Sequence, residues 1–550
     1  MNDYNFSSIQ NEGIDGLCFE TDNPIFNLDS IEDECVICAK NVFGVSSLFP
    51  WQRLAISNIL DGVMTVSNME KNTIHHISQR KKEASESLNA EFEFVFTEDG
   101  FTMARQIILL PTGAGKSLCF QVPALLLPGP TLVIYPLLAL MMDQVRRLRE
   151  VSIEPILLRG EQTDDERRII FERLDSCIKD YSQSDVKIII ANPEILHSEK
   201  VLTKLEKLNI SHIAIDEAHC VSEWGDTFRP SYLNLNNIIK RLKPKAVTAF
   251  TATASPQVLE RISNILFDGK AHIIRGETDR ENITYFVKQC RIKLPALLEL
   301  LFSVNRPLVI FASSREGTEH IARYIRYQLG ITEVRFYHAG LSRTEKDETE
   351  KWFNISPDGI LVATCAWGMG VDKKNIRTVI HYDISQSIEA YVQEAGRGGR
   401  DGLPSKAILL YSPEDIKILK KNTTISSRRI QQMIMYAEAK TCRRKILLKS
   451  LGDTRESSAY EHIEKHACSG CDVCDRTAEY EANDEKKLLH LIQKNKNIYT
   501  KQDIVNAIKN PLWRAGDVNN LVSILESEDK IYENKSILWK RKLAVHKKNI

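Results

Sequence analysis

A glycine-rich run between an apolar segment and a helix-like segment has the composition of a phosphate-binding loop. The run is Pro111-Thr112-Gly113-Ala114-Gly115-Lys116-Ser117, with apolar residues 107–110 before it and helix-like residues 118–127 after it. Its glycines would let backbone N–H groups and the following helix N-terminus close around phosphate oxygens. Lys116 would reach the β and γ phosphates, and Ser117 would hold Mg²⁺. A glycine-rich turn in an unrelated protein is the alternative. The predicted nucleotide-binding residues of this run are Thr112, Gly113, Ala114, Gly115, Lys116 and Ser117.

Two adjacent acids, Asp216 and Glu217, follow the apolar residues 213–215 about a hundred residues later. The apolar residues read as a buried strand that delivers both carboxylates at its C-terminal end. Asp216 would hold Mg²⁺, and Glu217 would orient or deprotonate the attacking water. Adjacent acids at a strand end are usually only solvated, but the spacing from Lys116 favours a catalytic pair. The two motifs together predict hydrolysis of a nucleoside triphosphate.

The chain contains 12 cysteines, and four of them have metal-ligand spacing. Cys442 precedes Cys468, Cys471 and Cys474, so two successive C-x-x-C steps and an upstream cysteine supply four thiolates. Four such ligands are enough for a closed, tetrahedral structural Zn²⁺ site. The alternative is a surface loop that only contains cysteines. Residues 35–38 form a lone C-x-x-C on an amphipathic helix-like segment, 31–42, and we interpret this pair as part of a core.

Composition places the chain among intracellular globular proteins with several domains. Its 550 residues are 43% hydrophobic, and 73 basic residues balance 73 acidic ones, so net charge gives no indication of a partner. We find neither a run of 18 apolar residues nor a signal-peptide pattern, which predicts a soluble protein without a membrane partner. The charge is unevenly distributed. Residues 1–40 begin with nine acids before the first basic residue, whereas 535–548 carry six basic residues and no acid. We expect the acidic arm to be solvated, with docking of a protein partner as the alternative.

Strand and helix patterns alternate in two successive α/β halves, each of which predicts a parallel sheet covered by helices. The chain divides into an acidic arm, a nucleotide-binding half with an insertion, a second half without a phosphate loop, a zinc module and a short C-terminal domain. The respective ranges are 1–40, 41–275 with insertion 63–104, 276–412, 413–477 and 478–550. The predicted strands are 107–110, 131–135, 187–191, 213–215, 246–250, 308–311, 333–337, 359–363, 378–381 and 407–411.

Two segments have less regular patterns. Residues 91–101 in the insertion read as a β-hairpin that extends the strand of the phosphate loop, and 79–86 read as an exposed charged helix. Helical periodicity at 486–493, 501–509 and 519–528 is followed by a hairpin pattern at 530–539. Three helices and a hairpin predict a winged-helix-like domain. A helical cap packed on the zinc module is the alternative.

The motifs resemble those of RecQ-type DNA helicases of superfamily 2, over about residues 41 to 477. Phe43-Gly44 with Gln52 is similar to the adenine-reading motif, although Leu48-Phe49 stands where the family has Phe-Arg. Residues 135–144 resemble a motif that lies along the DNA strand. Residues 219–230 resemble the aromatic-rich loop that couples DNA contact to hydrolysis, and residues 250–254 resemble the motif that links the two sites. The resemblance implies DNA-binding or coupling roles for Trp224, Phe228, Arg229, Thr251 and Thr253. Bases could stack on the two aromatic faces, whereas core packing is the alternative role of such side chains.

The second half resembles the family in residues 337–341, 363–373 and 393–401. The first of these implies a strand-binding role for His338. The third contains Gln393, Arg397 and Arg400, and its arginines can enter the nucleotide site only when the two halves close. They would then act as arginine fingers on the charge of the transition state. The cysteines resemble the RecQ zinc module, although the 25 residues between Cys442 and Cys468 exceed the usual gap of the family.

The resemblance implies an ATP-dependent helicase that uses Mg²⁺, contains Zn²⁺ and moves 3′ to 5′ on single-stranded or forked DNA in repair or recombination. The fold it implies is α/β, with two tandem RecA-like domains, a zinc-binding helical module and the winged-helix-like domain. Such a protein would be cytoplasmic in a prokaryote and nuclear in a eukaryote. Two other functions remain open: a DNA translocase or remodeller, for example in genome defence, that does not unwind, and a nonenzymatic DNA-binding scaffold. Protein partners would use the acidic arm or the insertion 63–104.

Overall fold

The structure, a computed structural model, describes most of the chain between residue 33 and residue 546. The described ranges are 33–83, 104–110, 115–160, 162–179, 181, 184–223, 230–252, 254–276, 279–367, 373–421, 427–452, 468, 470–510, 512–536, 538 and 540–546. None of the helices within these ranges is both long enough and apolar enough to span a lipid bilayer.

Seven of the described strands form one parallel sheet, in the order β3, β4, β2, β5, β6, β1, β7. They are β1 (Arg105–Leu109), β2 (Thr131–Ile134), β3 (Ile156–Leu158), β4 (Ile188–Ala191), β5 (His212–Ile215), β6 (Ala246–Thr251) and β7 (His272–Arg275). Most strand residues are apolar and buried, because helices cover both faces of the sheet. The strands β1 and β5 flank β6 and run parallel to it. The phosphate loop after β1 and the acids after β5 therefore lie close together at the carboxyl ends of the strands.

Nine α-helices of the described chain belong to the same domain as this first sheet. They are α1 (Glu34–Phe43), α2 (Pro50–Glu83), α3 (Leu118–Leu126), α4 (Leu138–Glu150), α5 (Asp164–Lys179), α6 (Glu199–Glu206), α7 (His219–Glu223), α8 (Leu235–Leu242) and α9 (Pro256–Phe267). The carboxylate of Asp33 caps α1 by accepting a hydrogen bond from Cys35 N. Cys35 and Ala39 then pack against Ile56 of α2 and Val122 of α3. The interpretation of the first C-x-x-C as a core pair is confirmed for Cys35.

A second parallel sheet contains six described strands, in the order β10, β11, β9, β12, β13, β8. They are β8 (Ile283–Gln289), β9 (Leu308–Phe311), β10 (Val334–Tyr337), β11 (Ile360–Ala363), β12 (Thr378–His381) and β13 (Ser405–Tyr411). Its helices are α10 (Lys293–Leu301), α11 (Arg315–Leu329), α12 (Arg343–Ile355) and α13 (Ile388–Ala395). The predicted class, two tandem parallel-sheet domains, is confirmed.

Helices and a small sheet complete the described chain. The helices α14 (Pro413–Lys421), α15 (Ser427–Ala437) and α16 (Arg443–Ser450) precede the last three cysteines of the zinc motif. Helices α17 (Asn483–Lys494), α18 (Lys501–Ile508) and α19 (Ala515–Ser527) follow, with an antiparallel pair of β14 (Ile531–Glu533) and β15 (Leu543–Val545). These last elements share a core, and we call residues 483–545 the C-terminal module. Its identification as a winged helix stays a prediction.

Several details differ from the sequence-based expectation. Strands β3, β7 and β8 were not predicted, and all three lie at sheet edges. Strand β3 has only three residues, three of the four residues of β7 are exposed, and alternate residues of β8 are half-buried, so none of the three is a long apolar run. The predicted hairpin at 530–539 is wrong in its second strand, since Ile531–Glu533 pairs with Leu543–Val545. Helix α1 crosses the predicted boundary at residue 40, and α2 continues through 63 into the predicted insertion. The predicted charged helix at 79–86 is helical as far as Glu83, and the predicted hairpin at 91–101 lies outside the described residues.

Candidate active site and zinc site

The described part of the phosphate loop joins β1 to α3. Gly115 has a φ of +71°, which favours glycine, and a Cβ at this position would lie 2.7 Å from Nε2 of Gln52 and would displace that amide. Ser117 occupies the N-cap of α3, where the helix dipole and free N–H groups favour an anion. Thr112, Gly113 and Ala114 lie outside the described residues. The structure thus places Lys116 and Ser117 between a glycine turn and a helix N-terminus, as a phosphate site requires.

Gln52, on α2, forms one wall of this loop. Its side-chain oxygen accepts a hydrogen bond from Phe49 N at 2.9 Å, and its Nε2 donates to the Gly115 carbonyl at 3.4 Å. The residue is 2% exposed. The structure therefore brings Gln52 from a distant part of the sequence to the loop, while its role in reading a base stays a prediction.

The two acids lie directly after β5 and face Lys116. Nζ of Lys116 lies 3.6 Å from Oε1 of Glu217, and Asp216 accepts a hydrogen bond from Glu217 N at 2.9 Å. Glu217 has a φ of +49°, which is unfavourable for a residue with a side chain and is typical of strained functional sites. The strained backbone directs two consecutive carboxylates into one site.

Burial and neighbouring charges separate the pKa values of the two acids. Burial, followed by repulsion from Glu217, raises the pKa of Asp216 from 3.8 to about 6. Burial also acts to raise the pKa of Glu217, but Lys116, His219 and Arg397 outweigh it and hold that pKa below its ordinary value. Glu217 is therefore ionised at neutral pH, as a base or water-orienting group must be. Asp216 would be stabilised in its ionised form by a bound cation, which fits a ligand of Mg²⁺.

Thr251 at the end of β6 is connected to Glu217 through a histidine. Nδ1 of His219 lies 3.1 Å from the Thr251 hydroxyl and 3.3 Å from Oε2 of Glu217. His219 was not among the predicted site residues, although it follows the acids in the sequence. Trp224, Phe228, Arg229 and Thr253, which the sequence assigns to coupling, lie outside the described residues.

The arginine loop, residues 396–400, follows α13 of the second half and contains the buried Arg397. Arg397 is 5% exposed, with its guanidinium 5.7 Å from the ring centre of Trp367 and 6.0 Å from that of Phe311. Burial, then repulsion from Arg400, lowers the pKa of Arg397 to about 10, which leaves it charged at neutral pH. Its charge contributes, after those of Lys116 and His219, to lowering the pKa of Glu217. Gln393 and Arg400 lie half-buried beside it, at the end of α13 and in the loop.

Arg280 supports the arginine loop and was not predicted from the sequence. Its guanidinium donates hydrogen bonds to the carbonyls of Gly396, Gly398 and Gly399 at 3.3, 3.2 and 2.8 Å. The amide of Asn282 donates a further bond to Gly399 at 2.8 Å. Nothing in the local sequence around Arg280 indicates this contact, because it spans more than a hundred residues.

His338 lies at the end of β10 and is only 5% exposed. Its Nε2 lies 3.1 Å from Oε1 of Glu319, and its ring stacks on Phe336 with centroids 5.6 Å apart. A role in binding a DNA strand stays a prediction for this buried ring.

The four predicted zinc ligands meet although they span 33 sequence positions. The Sγ atoms of Cys442, Cys468, Cys471 and Cys474 all lie within 4.8 Å of one another. In a tetrahedral site with Zn–S bonds of about 2.3 Å, neighbouring sulfur atoms are about 3.8 Å apart. The donor set and its compactness therefore fit a closed structural Zn²⁺ site.

The zinc site is attached to the edge strand β8 of the second sheet. Asp472 accepts a hydrogen bond from Val287 N at 2.9 Å and donates its own N–H to the Tyr285 carbonyl at 3.0 Å. The same carboxylate pairs with Arg443, which is fully buried next to Cys442. Metal binding would thus fix α16 and the last three cysteines against this sheet.

Three family models match successive parts of the chain. The DEAD/DEAH box helicase model covers residues 81–262, the helicase conserved C-terminal domain model covers 292–402, and the RecQ zinc-binding model covers 413–475. These matches fall on the first sheet, the second sheet and the cysteine cluster in the same order as in the structure.

Curated relatives share about a third of their aligned residues with the chain. The ATP-dependent DNA helicase RecQ of Pasteurella multocida is 35% identical over 378 residues, which are 67% of this chain and 57% of the relative. The protein of the same name from Bacillus subtilis is 34% identical over 389 residues, 68% of this chain and 63% of the relative. The ATP-dependent DNA helicase hus2/rqh1 of Schizosaccharomyces pombe is 36% identical over 396 residues, 68% of this chain and 29% of the relative. The chain spans less than two thirds of the length of these relatives.

Among solved structures, that of the DUF1998 helicase MrfA bound to DNA resembles the chain with a TM-score of 0.51. The alignment covers 94% of this chain and 59% of that protein at 17% identity. At this identity the likeness concerns the fold alone.

Proposed function

Because the chain belongs to the RecQ family of superfamily 2 helicases, we propose that it is an ATP-dependent DNA helicase that moves 3′ to 5′ along single-stranded DNA. The observation that carries this proposal is the 3.6 Å ion pair between Lys116 of the phosphate loop and Glu217 after β5, to which Arg397 of the second sheet adds a charge that helps to lower the pKa of Glu217. A site completed by two sheets makes hydrolysis depend on their closure, and closure and opening are the motions that a stepping motor needs.

The nucleotide site is built from elements of both halves. The phosphates would lie at the N-terminus of α3 on the backbone of residues 112–115, with Lys116 against the β and γ phosphates. Ser117 and Asp216 would hold Mg²⁺, which supplies charge neutralisation on the phosphates when bound. Gln52 at the side of the loop would contact the base.

Glu217 is the proposed base for the attacking water. Its pKa lies below the ordinary value, so it is ionised, and Lys116 Nζ and His219 Nδ1 lie 3.6 and 3.3 Å from its two carboxylate oxygens. Arg397 and Arg400 would stabilise the charge of the transition state, with Gln393 beside them. Each of these groups acts by position and charge.

DNA contact would reach this site through the loop after α7. Trp224, Phe228 and Arg229 would engage the strand, and the chain from Thr251 through His219 to Glu217 offers a route to the base. Thr253 and His338 are further candidates for strand contact.

We propose that Cys442, Cys468, Cys471 and Cys474 bind Zn²⁺ as a structural ion. We also propose that the C-terminal module is a winged helix that contacts forked DNA in repair or recombination. The acidic arm and residues 63–104 are the proposed sites for protein partners.

An ATPase assay run beside a fork-unwinding assay tests this function. We expect hydrolysis that single-stranded DNA stimulates more than RNA does, and ATP-dependent opening of a fork with a 3′ tail. Stimulated hydrolysis without strand separation would instead identify a translocase, and a protein without hydrolysis would be a scaffold.

A further inference from the structure

The C-terminal module is attached to the second sheet by a partly buried ionic cluster. The guanidinium of Arg291, between β8 and α10, lies 2.5 Å from Glu485 and donates two hydrogen bonds to Glu528 at 2.8 and 3.0 Å. Lys530 pairs with the same two glutamates. The Arg291 and Glu485 side chains are 9% and 14% exposed, so this pair is largely shielded from water, whereas Lys530 and Glu528 are 23% and 33% exposed at the rim of the cluster.

The main chain at the same place is tied to the module. Asp484, in the first turn of α17, accepts hydrogen bonds from Arg291 N and Ile292 N, each at 2.9 Å. Ile292 is the N-cap residue of α10, and its own side chain makes no capping bond. A carboxylate of the module therefore accepts hydrogen bonds from backbone N–H groups at the N-terminus of α10, a helix that packs on the second sheet.

Apolar and aromatic contacts cross the same interface in both directions. Ile292 belongs to the core cluster of the module, whereas Leu512 of the module packs against the core of the second sheet. The Arg514 guanidinium lies 3.6 Å from the ring centre of Tyr324 on α11. Contacts of these three kinds make the module and the second sheet one packed unit.

Arg291 has a special place in this interface because it joins two separate elements of the module. Glu485 is on α17, and Glu528 follows α19, so one guanidinium fixes the orientation of both helices. We infer that Arg291 is a positioning residue for strand separation, through which closure of the second sheet onto the nucleotide site is transmitted to the C-terminal module. This inference rests on the proposed helicase function. It implies that hydrolysis and unwinding can be separated at a residue remote from the phosphates.

The test compares Arg291→Ala with Arg291→Lys and with Arg241→Ala in the full chain. Arg241 is a matched control, since it also bridges two glutamates, Glu199 and Glu206, but within the first sheet and on the surface. We expect Arg291→Ala to keep DNA-stimulated kcat and the KM for ATP within about twofold while lowering the fork-unwinding rate about tenfold or more, because misplaced groups remote from chemistry alter coupled steps. Arg291→Lys should be intermediate, because one ammonium cannot make the same bonds to both carboxylates. Arg241→Ala should match the wild type in both assays.

Hydrogen exchange supplies a readout that does not depend on activity. Peptides covering 290–301 and 483–494 should exchange faster in Arg291→Ala. Without the Arg291 side chain, the hydrogen bonds that Asp484 accepts from the backbone N–H groups of residues 291 and 292 should weaken. Unchanged exchange, unchanged unwinding, or an equal loss of hydrolysis and unwinding would each overturn the inference. If the wild type hydrolyses ATP on DNA but opens no fork, the proposed helicase function fails. The hydrogen-exchange rates of the two peptides would still show whether Arg291 holds the C-terminal module against the second sheet.

Discussion

The Arg397 guanidinium lowers the pKa of Glu217, although the two residues belong to different sheets and lie 180 positions apart. Arg397 is buried against Trp367 and Phe311 in the second sheet, and Glu217 is strained at the end of β5 in the first. The pKa of Glu217, the proposed base, therefore depends in part on a charge supplied by the second sheet.

Arg397→Ala should cut DNA-stimulated kcat by about a thousandfold, while ATP affinity stays within a few-fold, because an arginine finger acts mainly on the transition state. Arg400→Ala should have the same or a milder effect. Lys116→Ala should impair both turnover and nucleotide binding. Nucleotide affinity and kcat are to be measured for all three on the same DNA. Near-normal turnover in both arginine variants would show that the second half does not complete the site.

Arg280→Ala should lower kcat by about tenfold with little change in ATP affinity, because the arginine loop loses three hydrogen bonds and Arg397 loses its fixed position. Arg326→Ala is a control, since this exposed arginine on α11 of the second half donates a surface hydrogen bond to the Thr332 carbonyl. Steady-state kinetics and nucleotide titration separate the two effects. A change in ATP affinity alone would contradict the positioning role.

Asp216→Asn should abolish hydrolysis and yet raise the midpoint of thermal unfolding at pH 8 in the absence of nucleotide and Mg²⁺. The pKa of Asp216 is raised from 3.8 to about 6, so the folded protein binds a proton more tightly than the unfolded chain, and the ionised carboxylate destabilises the fold. The gain should shrink as the pH falls below about 6 and vanish near about 4, where the group is protonated in both states. Calorimetry from pH 4 to 8 measures it, with the exposed Asp358→Asn as control. A lower midpoint at pH 8 would contradict the burial argument.

Cys471→Ser should lower zinc content and soluble yield together, because a structural site with a missing thiolate loses both metal and folding energy. Cys471 is fully buried among the other ligands. Zinc is to be measured per chain by mass spectrometry, with Cys177→Ser, a buried cysteine outside the cluster, as control. Stoichiometric zinc in Cys471→Ser, or a wild type without zinc, would exclude the site.

Trp224→Ala should leave basal ATP hydrolysis largely intact and abolish its stimulation by single-stranded DNA, because an aromatic face in the coupling loop would contribute about 1–3 kcal/mol of base stacking. Basal and stimulated rates are to be compared with those of Trp352→Ala. Trp352 belongs to the second α/β half, and its indole N–H donates a hydrogen bond to Glu333. Unchanged stimulation would mean that Trp224 only packs.

Groups of candidate site residues that lie close together in the sequence were predictable from their spacing. The loop around Lys116, the acids after β5 and the C-x-x-C steps are local patterns, and the structure brings together those of them that it describes. The central strands were predictable for the same reason, since buried parallel strands are continuous apolar runs. The edge strands β3, β7 and β8 were missed because β3 has only three residues and because polar side chains at the exposed or half-buried positions of β7 and β8 interrupt the apolar run.

Relationships between distant residues were decided only by the tertiary structure. Arg280 under the arginine loop, His219 between Thr251 and Glu217, and Arg291 between the second sheet and the C-terminal module each join segments far apart in the chain. An isolated arginine or histidine has the same local sequence whether it is solvated or buried. Its role depends on which carbonyl or carboxylate the packing of sheets and helices places next to it, and on the removal of water that makes that contact strong.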